Sequence, residues 1–337
     1  MSRSVLEGIR AGRPPTGPRT VHVDLTNGCN ARCLPCWDHS PLLREPRPAA
    51  WKRVRLDLGR FLSLVEDLDA LGSVDALILS GMGEPLTHPD IWTMLDAVRE
   101  RGWALTLISN LVAPGAERLA RHPPTRILAG LHAATPATYA ELHPGWDESQ
   151  FFTAVRVLRA LATVPVRHVH VICEPNAREL PAMVRLGALL GADRVNLKLA
   201  SLAGGTEAVE LAPATRTWLA EEGLPRARAE ARDRGVRTTL DLLERQLAAG
   251  PGATIELDAC YMGYAYARVT AEGEVLYCCN TQVRVGNLDQ ASFGELWRGR
   301  RWQALRERIG AGHLFPGCER CGKYEQNLDL ARRLESP

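Results

Sequence analysis

Cys29, Cys33 and Cys36 are separated by three and then two residues, immediately after the strand-like run Val21-His22-Val23-Asp24-Leu25. Three thiolates on one short loop can hold three irons of a [4Fe–4S] cluster and leave the fourth iron open. A cluster that only carries electrons is closed by four cysteines, so a missing fourth ligand implies an iron that binds a reactant. A zinc knuckle would use paired CxxC units, and this loop has only one.

A second thiol set lies in the last quarter of the chain. Cys260, Cys278, Cys318 and Cys321 have gaps of 17, 39 and 2 residues. Two alternating runs, Tyr261 to Val269 and Glu274 to Cys278, flank Ala271-Glu272-Gly273 and predict a β-hairpin that brings Cys260 and Cys278 together. The Cys318-Glu319-Arg320-Cys321 knuckle supplies the other two ligands. Four thiolates close a metal site, and at this point zinc and [4Fe–4S] both remain open. The first twenty residues lack the apolar stretch of a signal peptide, so nine cysteines point to metal and not to structural disulfides, with a cytoplasmic location expected.

The elements that must position these loops read as repeated βα units. Strands are expected at 21–26, 75–80, 104–109, 126–132, 166–173 and 193–199, with helices at 58–71, 90–101, 136–142, 150–162 and 178–190. Six such units predict an α/β fold, a partial (β/α)6 barrel short of the eight strands of a closed TIM barrel. The expected organisation is a lead-in at 1–20, the barrel at 21–203, a helical connector at 204–255, a small domain of hairpin plus helix (293–309) at 256–325, and a tail at 326–337. A length of 337 residues suits a barrel with an appendage. A formal charge of +2 gives no electrostatic footprint for nucleic acid. No apolar run approaches eighteen residues, so no membrane is expected as a partner.

The CxxxCxxC loop resembles the signature of the radical S-adenosylmethionine (SAM) enzymes. Ser80-Gly81-Met82-Gly83-Glu84-Pro85, after the second strand, is similar to that family's Gly-Gly-Glu-Pro motif, with Met82 in place of the second glycine. The resemblance implies that the open iron chelates SAM, that the cluster's electron yields a 5′-deoxyadenosyl radical, and that the glycine segment binds the methionine end. Cofactor-binding residues on this view are Trp37, Ser80, Gly81, Met82, Gly83, Glu84, Asn110 and His132. Cys260, Gly273-x4-Cys278, Gly286-Asn287-Leu288, Phe293-Gly294-Glu295-Leu296-Trp297 and Cys318-x2-Cys321 resemble the auxiliary-cluster extension called SPASM. Asn327 stands where a further cysteine would be expected, which resembles the shortened twitch form with one auxiliary [4Fe–4S] cluster held by Cys260, Cys278, Cys318 and Cys321. Cys279, beside Cys278, is the alternative ligand.

Alternation along the barrel strands gives substrate-side candidates. If aliphatic residues pack outward, the inner wall carries His168, His170 and Glu174 on the fifth strand and Asn196 and Lys198 on the sixth, with Asp24, Asn110 and His132 beside them. Lys198 or Glu174 is the expected proton acceptor. Cys173, outward by alternation, is a candidate hydrogen-atom donor, with Cys279 second. The resemblance to twitch enzymes implies oxidation or epimerisation of a small polar substrate of the sugar or aminocyclitol kind, with a flavodoxin- or ferredoxin-like electron donor. The alternatives are a maturase of a ribosomally made peptide and a radical decarboxylase of a sugar acid. Maturases often carry an N-terminal leader-binding domain and more auxiliary cysteines, which places the small substrate ahead.

Overall fold

The computed structural model describes residues 3–161, 163–250 and 257–335. Residue 162, closing the expected helix 150–162, and residues 251–256, at the junction of connector and small domain, lie outside the described residues.

Six parallel strands lie side by side in sequence order: β1 (Thr20–Asp24), β2 (Ala76–Ser80), β3 (Ala104–Ser109), β4 (Arg126–Gly130), β5 (Val166–Ile172) and β6 (Arg194–Leu199). β6 does not pair with β1, so the barrel is open. The connecting helices Leu58–Ala70, Ile91–Glu100, Pro136–Leu142, Glu148–Ala160 and Leu180–Leu189 follow the expected spacing. In Leu58–Ala70 the Asp57 side chain caps the first turn by accepting from the Arg60 N–H, and Phe61, Leu64, Val65 and Leu68 form the buried stripe.

The C-terminal hairpin is not a separate sheet. β7 (Tyr266–Val269) pairs in parallel with the free edge of β1, His22 opposite Arg268, and β8 (Glu274–Leu276) and β9 (Arg284–Asn287) continue antiparallel. The order β6-β5-β4-β3-β2-β1-β7-β8-β9 is therefore one nine-stranded sheet. The second thiol set is fixed to the barrel by backbone hydrogen bonds.

The Phe293-to-Trp297 motif docks this extension. The Phe293 N–H donates to the Asp67 carboxylate at 2.8 Å and the Trp297 indole N–H to the Thr16 carbonyl at 2.9 Å. The expected helix 293–309 breaks at Gly299 into Phe293–Arg298 and Arg300–Gly310. Buried Arg306 reaches back to the Gly263 carbonyl at 3.1 Å with its guanidinium 4.4 Å from the Trp297 ring centroid. This locks the turn that follows Cys260. The residues expected as a tail from 326 instead belong to the helix Tyr324–Glu335, which buries Asn327 and Leu330 and packs on the Arg3–Arg10 helix of the lead-in.

The inward assignment of His168 and His170 is overturned. Both are fully buried with no partner on any ring nitrogen among the described residues, and a Cβ on Gly187 of the helix Leu180–Leu189 would lie 3.7 Å from His168 Nδ1. They face the outer helix layer, and Val169 and Val171 turn inward. A strand covered on both faces carries apolar residues on both, so alternation identifies two faces without saying which is inside. Burial holds both imidazoles neutral, His168 at about 4 and His170 well below its ordinary value.

Candidate active site

The loop bearing Cys29, Cys33 and Cys36 is held by the segment after β2. The Gly83 N–H donates to the Thr26 carbonyl at 3.1 Å and the Glu84 N–H to the Gly28 carbonyl at 2.8 Å. A Cβ at Gly81 would lie 2.3 Å from the Thr26 oxygen, and one at Gly83 would lie 1.9 Å from the Gly28 oxygen. The two glycines are thus required by the approach of two backbones just ahead of Cys29.

The Glu84 carboxylate is fully committed within the protein. It accepts from the Leu86 N–H at 3.0 Å, the Ser109 hydroxyl at 2.7 Å and the Asn110 N–H at 2.8 Å. Burial still pushes its pKa up to about 7 against those donors. Asn110 in turn donates to the Asn30 side chain at 2.9 Å, tying the end of β3 to the cysteine loop. Burial pushes the Cys29 thiol up to about 12 and Cys33 well above its ordinary range. Only a strong positive charge, such as iron, would hold this pocket as thiolates.

A polar network crosses the barrel interior at the β2–β1–β7 junction. The Asp24 carboxylate accepts from Ser80 Oγ at 3.2 Å and from the Arg268 guanidinium at 2.8 Å. His22 bridges Tyr266 Oη, at 3.0 Å from Nδ1, and Ser80 Oγ, in contact with Nε2. Burial, then the Arg268 charge, keep His22 neutral. Arg268 also approaches Met82 Sδ at 3.7 Å, so the network reaches the glycine segment. His22, Tyr266 and Arg268 are not among the residues expected from sequence. Their one signal there is the period-2 placement of Tyr266 and Arg268 in the hairpin, which by itself marks only a strand.

Cys260, Cys278, Cys318 and Cys321 gather at the end of this sheet, with Cys279 among them. Cys279 lies within hydrogen-bonding reach of both Cys278 and Cys321, and Cys260 lies close to Cys318 and Cys279. N–H groups point at the sulfurs: Asn280 N to Cys278 at 3.4 Å and Lys323 N to Cys321 at 3.3 Å. The Asn327 side chain accepts from the Tyr261 N–H and donates to the Ala259 carbonyl, each at 2.8 Å, clamping both neighbours of Cys260. The position that lacks a thiol is a strut for one. Five sulfurs beside an ammonium, Lys323, that has no carboxylate partner among the described residues fit an anionic iron–sulfur cluster.

A cavity of about 550 Å³ joins the two halves. Asn27, Trp37 and Met82 line it on the barrel side, and Cys260, Cys278, Cys279, Cys318 and Cys321 on the other. Trp37, 61% exposed, donates its indole N–H to the Ser201 carbonyl and stands in the wall of that cavity.

The expected catalytic residues do not line it. Glu174 accepts from the Ala212 N–H at 2.8 Å and the Thr215 hydroxyl at 2.7 Å, which caps the helix Pro213–Trp218 and takes its carboxylate out of the barrel. Cys173 is buried with its backbone N–H bound to Asn176; with the faces of β5 reversed, alternation sets it on the side of Val169 and Val171 and not outward as expected. Lys198 projects from β6 in register with Val171; its surface reaches solvent, yet the walls around it lower its pKa by desolvation. His132 lies near Lys198 with a positive φ of 58°, its Nδ1 accepting from the Val171 N–H, and burial lowers its pKa to about 3. The cavity instead presents Glu272, in the hairpin turn, whose carboxylate accepts from Asn27 Nδ2 at 2.7 Å.

Family models match along the chain: the radical SAM superfamily over residues 23–187, and the SPASM iron–sulfur cluster-binding domain over residues 260–322. The chain carries a radical SAM domain followed by a SPASM domain. SAM and a [4Fe–4S] cluster belong to the first, and auxiliary iron–sulfur to the second, which decides against zinc at the C-terminal thiols. Among curated relatives, the AdoMet-dependent heme synthase of Methanosarcina barkeri is 25% identical over 302 residues, covering 83% of this chain and 82% of that protein. The mycofactocin maturase MftC of Mycobacterium tuberculosis is 23% identical over 326 residues, covering 91% and 76%. Streptococcus suis SuiB bound to precursor peptide SuiA shares the fold with a TM-score of 0.64 at 15% identity, over 90% of this chain and 70% of that one. Native anSMEcpe with bound AdoMet shares it with a TM-score of 0.64 at 14% identity, over 92% and 88%. Among the described residues, no helix of this radical SAM–SPASM protein is long and apolar enough to cross a membrane.

Proposed function

We propose that this radical SAM enzyme is a maturase that modifies a residue of a peptide chain entering the cavity between its two cluster sites. The observation that carries the reading is the continuity of that cavity, since one wall holds Met82 of the glycine segment and the opposite wall the auxiliary cysteines. A group placed there faces the glycine segment on one side and the auxiliary thiols on the other. The peptide rests on the relatives: a maturase is similar over 91% of this chain. It takes the alternative named from sequence and sets it ahead of the small substrate.

Bound SAM and its cluster supply a 5′-deoxyadenosyl radical for hydrogen abstraction, and the auxiliary cluster an acceptor for one electron. The chain's own residues do the rest. Trp37 and Trp51 give the cavity wall aromatic surface, with the Arg47 guanidinium 5.0 Å from the Trp51 ring. Arg268, fixed by Asp24, orients polar groups of the substrate. Glu272, the cavity carboxylate without a cationic partner among the described residues, accepts the proton that leaves with oxidation. One auxiliary cluster, with Cys260, Cys278, Cys318 and Cys321 as ligands, is the set the gathered thiols support best.

A second reading, oxidation or epimerisation of a sugar or aminocyclitol, is favoured by the volume, which lies within the few hundred to one thousand Å³ of small-molecule sites. Anaerobic incubation of the reduced holoenzyme with SAM and either short synthetic peptides or aminocyclitols separates the two. Peptide-dependent 5′-deoxyadenosine with a changed peptide mass supports the maturase. 5′-Deoxyadenosine stimulated by aminocyclitols alone overturns it.

A further inference from the structure

The cavity wall holds four basic residues, and three are neutralised. Arg47 pairs with Asp38, Arg268 with Asp24 and Arg284 with Glu274, each at 2.8 Å. The remaining wall carboxylate, Glu272, is bound to Asn27. Lys323 is the exception among the described residues. Its Nζ stands 4.4 Å from the Tyr266 ring centroid, with no carboxylate in ion-pair range. Its own backbone N–H donates to Cys321 Sγ at 3.3 Å, so the residue is anchored directly on a cluster ligand. The aromatic face below and the sulfurs beside it leave the ammonium one source of counter-charge, the cluster with its thiolates.

A fixed cation beside an iron–sulfur centre favours the form with the extra electron, because reduction adds negative charge nearby. We propose that Lys323 is the positioning residue that raises the reduction potential of the auxiliary cluster, so that this cluster, and not solvent or an external oxidant, takes the electron released in turnover. Arg268 cannot substitute, since both its bonds to Asp24 leave the pair neutral. The inference rests on the auxiliary cluster at Cys260, Cys278, Cys318 and Cys321 and is independent of which substrate the cavity takes.

The test is a potentiometric titration followed by EPR, without substrate. It uses full-length Cys29→Ala/Cys33→Ala/Cys36→Ala protein, in which only the auxiliary centre gives a signal. Lys323→Met should lower the midpoint so that the reduced fraction at a fixed potential falls about tenfold in ratio, equal to about 59 mV for one electron. Lys323→Arg should restore the midpoint, and the double variant Arg284→Met/Glu274→Gln, which removes a neutral pair of the same cavity, should leave it near the parent. An unchanged midpoint in Lys323→Met with parental iron content overturns the proposal, as does an equal shift in Arg284→Met/Glu274→Gln. If Lys323→Met fails to hold iron, Lys323→Gln replaces it: a lowered midpoint supports the proposal and an unchanged one overturns it. A parent without auxiliary iron would refute the cluster assignment itself, and a peptide that is not turned over leaves the measured potentials untouched.

Discussion

Gly83→Ala is the substitution whose cost follows most directly from the structure. Its Cβ would sit 1.9 Å from the Gly28 oxygen and 2.7 Å from the Asn27 carbonyl carbon, where real Cβ atoms essentially never come within 3.0 Å. The obstacle is backbone, so no side chain can swing aside; the segments must part by about 1 Å or more. The hydrogen bonds Gly83 N to Thr26 O and Glu84 N to Gly28 O, at 3.1 and 2.8 Å, then stretch beyond useful range. Two backbone bonds contribute about 1 kcal/mol each, and the overpacking adds about 1–3 kcal/mol. The strain falls on Thr26 to Gly28, one residue ahead of Cys29. The readout is therefore iron content and SAM cleavage after anaerobic reconstitution: Gly83→Ala should lose about four of about eight irons and its 5′-deoxyadenosine. Met82→Ala, which disturbs neither contact, should keep its iron. A Gly83→Ala protein with full iron and full SAM cleavage would refute the argument that the glycines serve the approach of the two loops.

Other outcomes follow from the same contacts. Cys321→Ala should spare SAM cleavage and stop product formation, seen as 5′-deoxyadenosine released without modified substrate. Glu272→Gln should lower product formation by about 100-fold or more, the usual contribution of a positioned base, with SAM cleavage retained; unchanged product by mass spectrometry would remove Glu272 from the proton's path. Glu174→Ala should cost about 1 kcal/mol as a lost helix cap in denaturant titrations, with SAM cleavage intact. His168 sets an acid limit on stability. Its folded pKa of about 4 lies below the ordinary 6.5, so the unfolded chain binds the extra proton and stability falls as pH drops from 6.5 towards 4. Between pH 8 and pH 5.5 the loss is about 1.4 kcal/mol, and His168→Leu should remove that part of the pH dependence in unfolding measurements.

The cysteine spacings are legible in sequence because ligand geometry constrains separation tightly, and the βα rhythm is legible because its helices carry clean apolar stripes such as Phe61, Leu64, Val65 and Leu68. The parallel pairing of β7 with β1 is not, since a hairpin pattern says nothing about which outside edge it joins. Strand faces are the weakest inference. His168 and His170 look inward-facing because imidazoles are polar, yet each is buried neutral under the helix Leu180–Leu189, a burial that only the folded packing creates. Glu174 reads as a barrel carboxylate, whereas its partners, Ala212 and Thr215, lie about forty residues downstream. Lys323 and Glu272 give no signal of their own because one follows directly on the CxxC knuckle and the other sits in the hairpin turn, stretches already explained by something else. The expected tail at 326–337 hides a helix whose buried face is only Asn327 and Leu330, and Asn327 stands out in sequence as a missing cysteine, not as a hydrogen-bonding strut.

The most direct test of the two-centre account is iron and sulfide content with EPR on anaerobically reconstituted protein, beside its Cys29→Ala/Cys33→Ala/Cys36→Ala variant. Two clusters give about eight irons per chain, falling to about four in the variant, with the auxiliary signal retained. About four irons falling to none, with zinc left on Cys260, Cys278, Cys318 and Cys321, would contradict it and leave the cavity with a single redox centre.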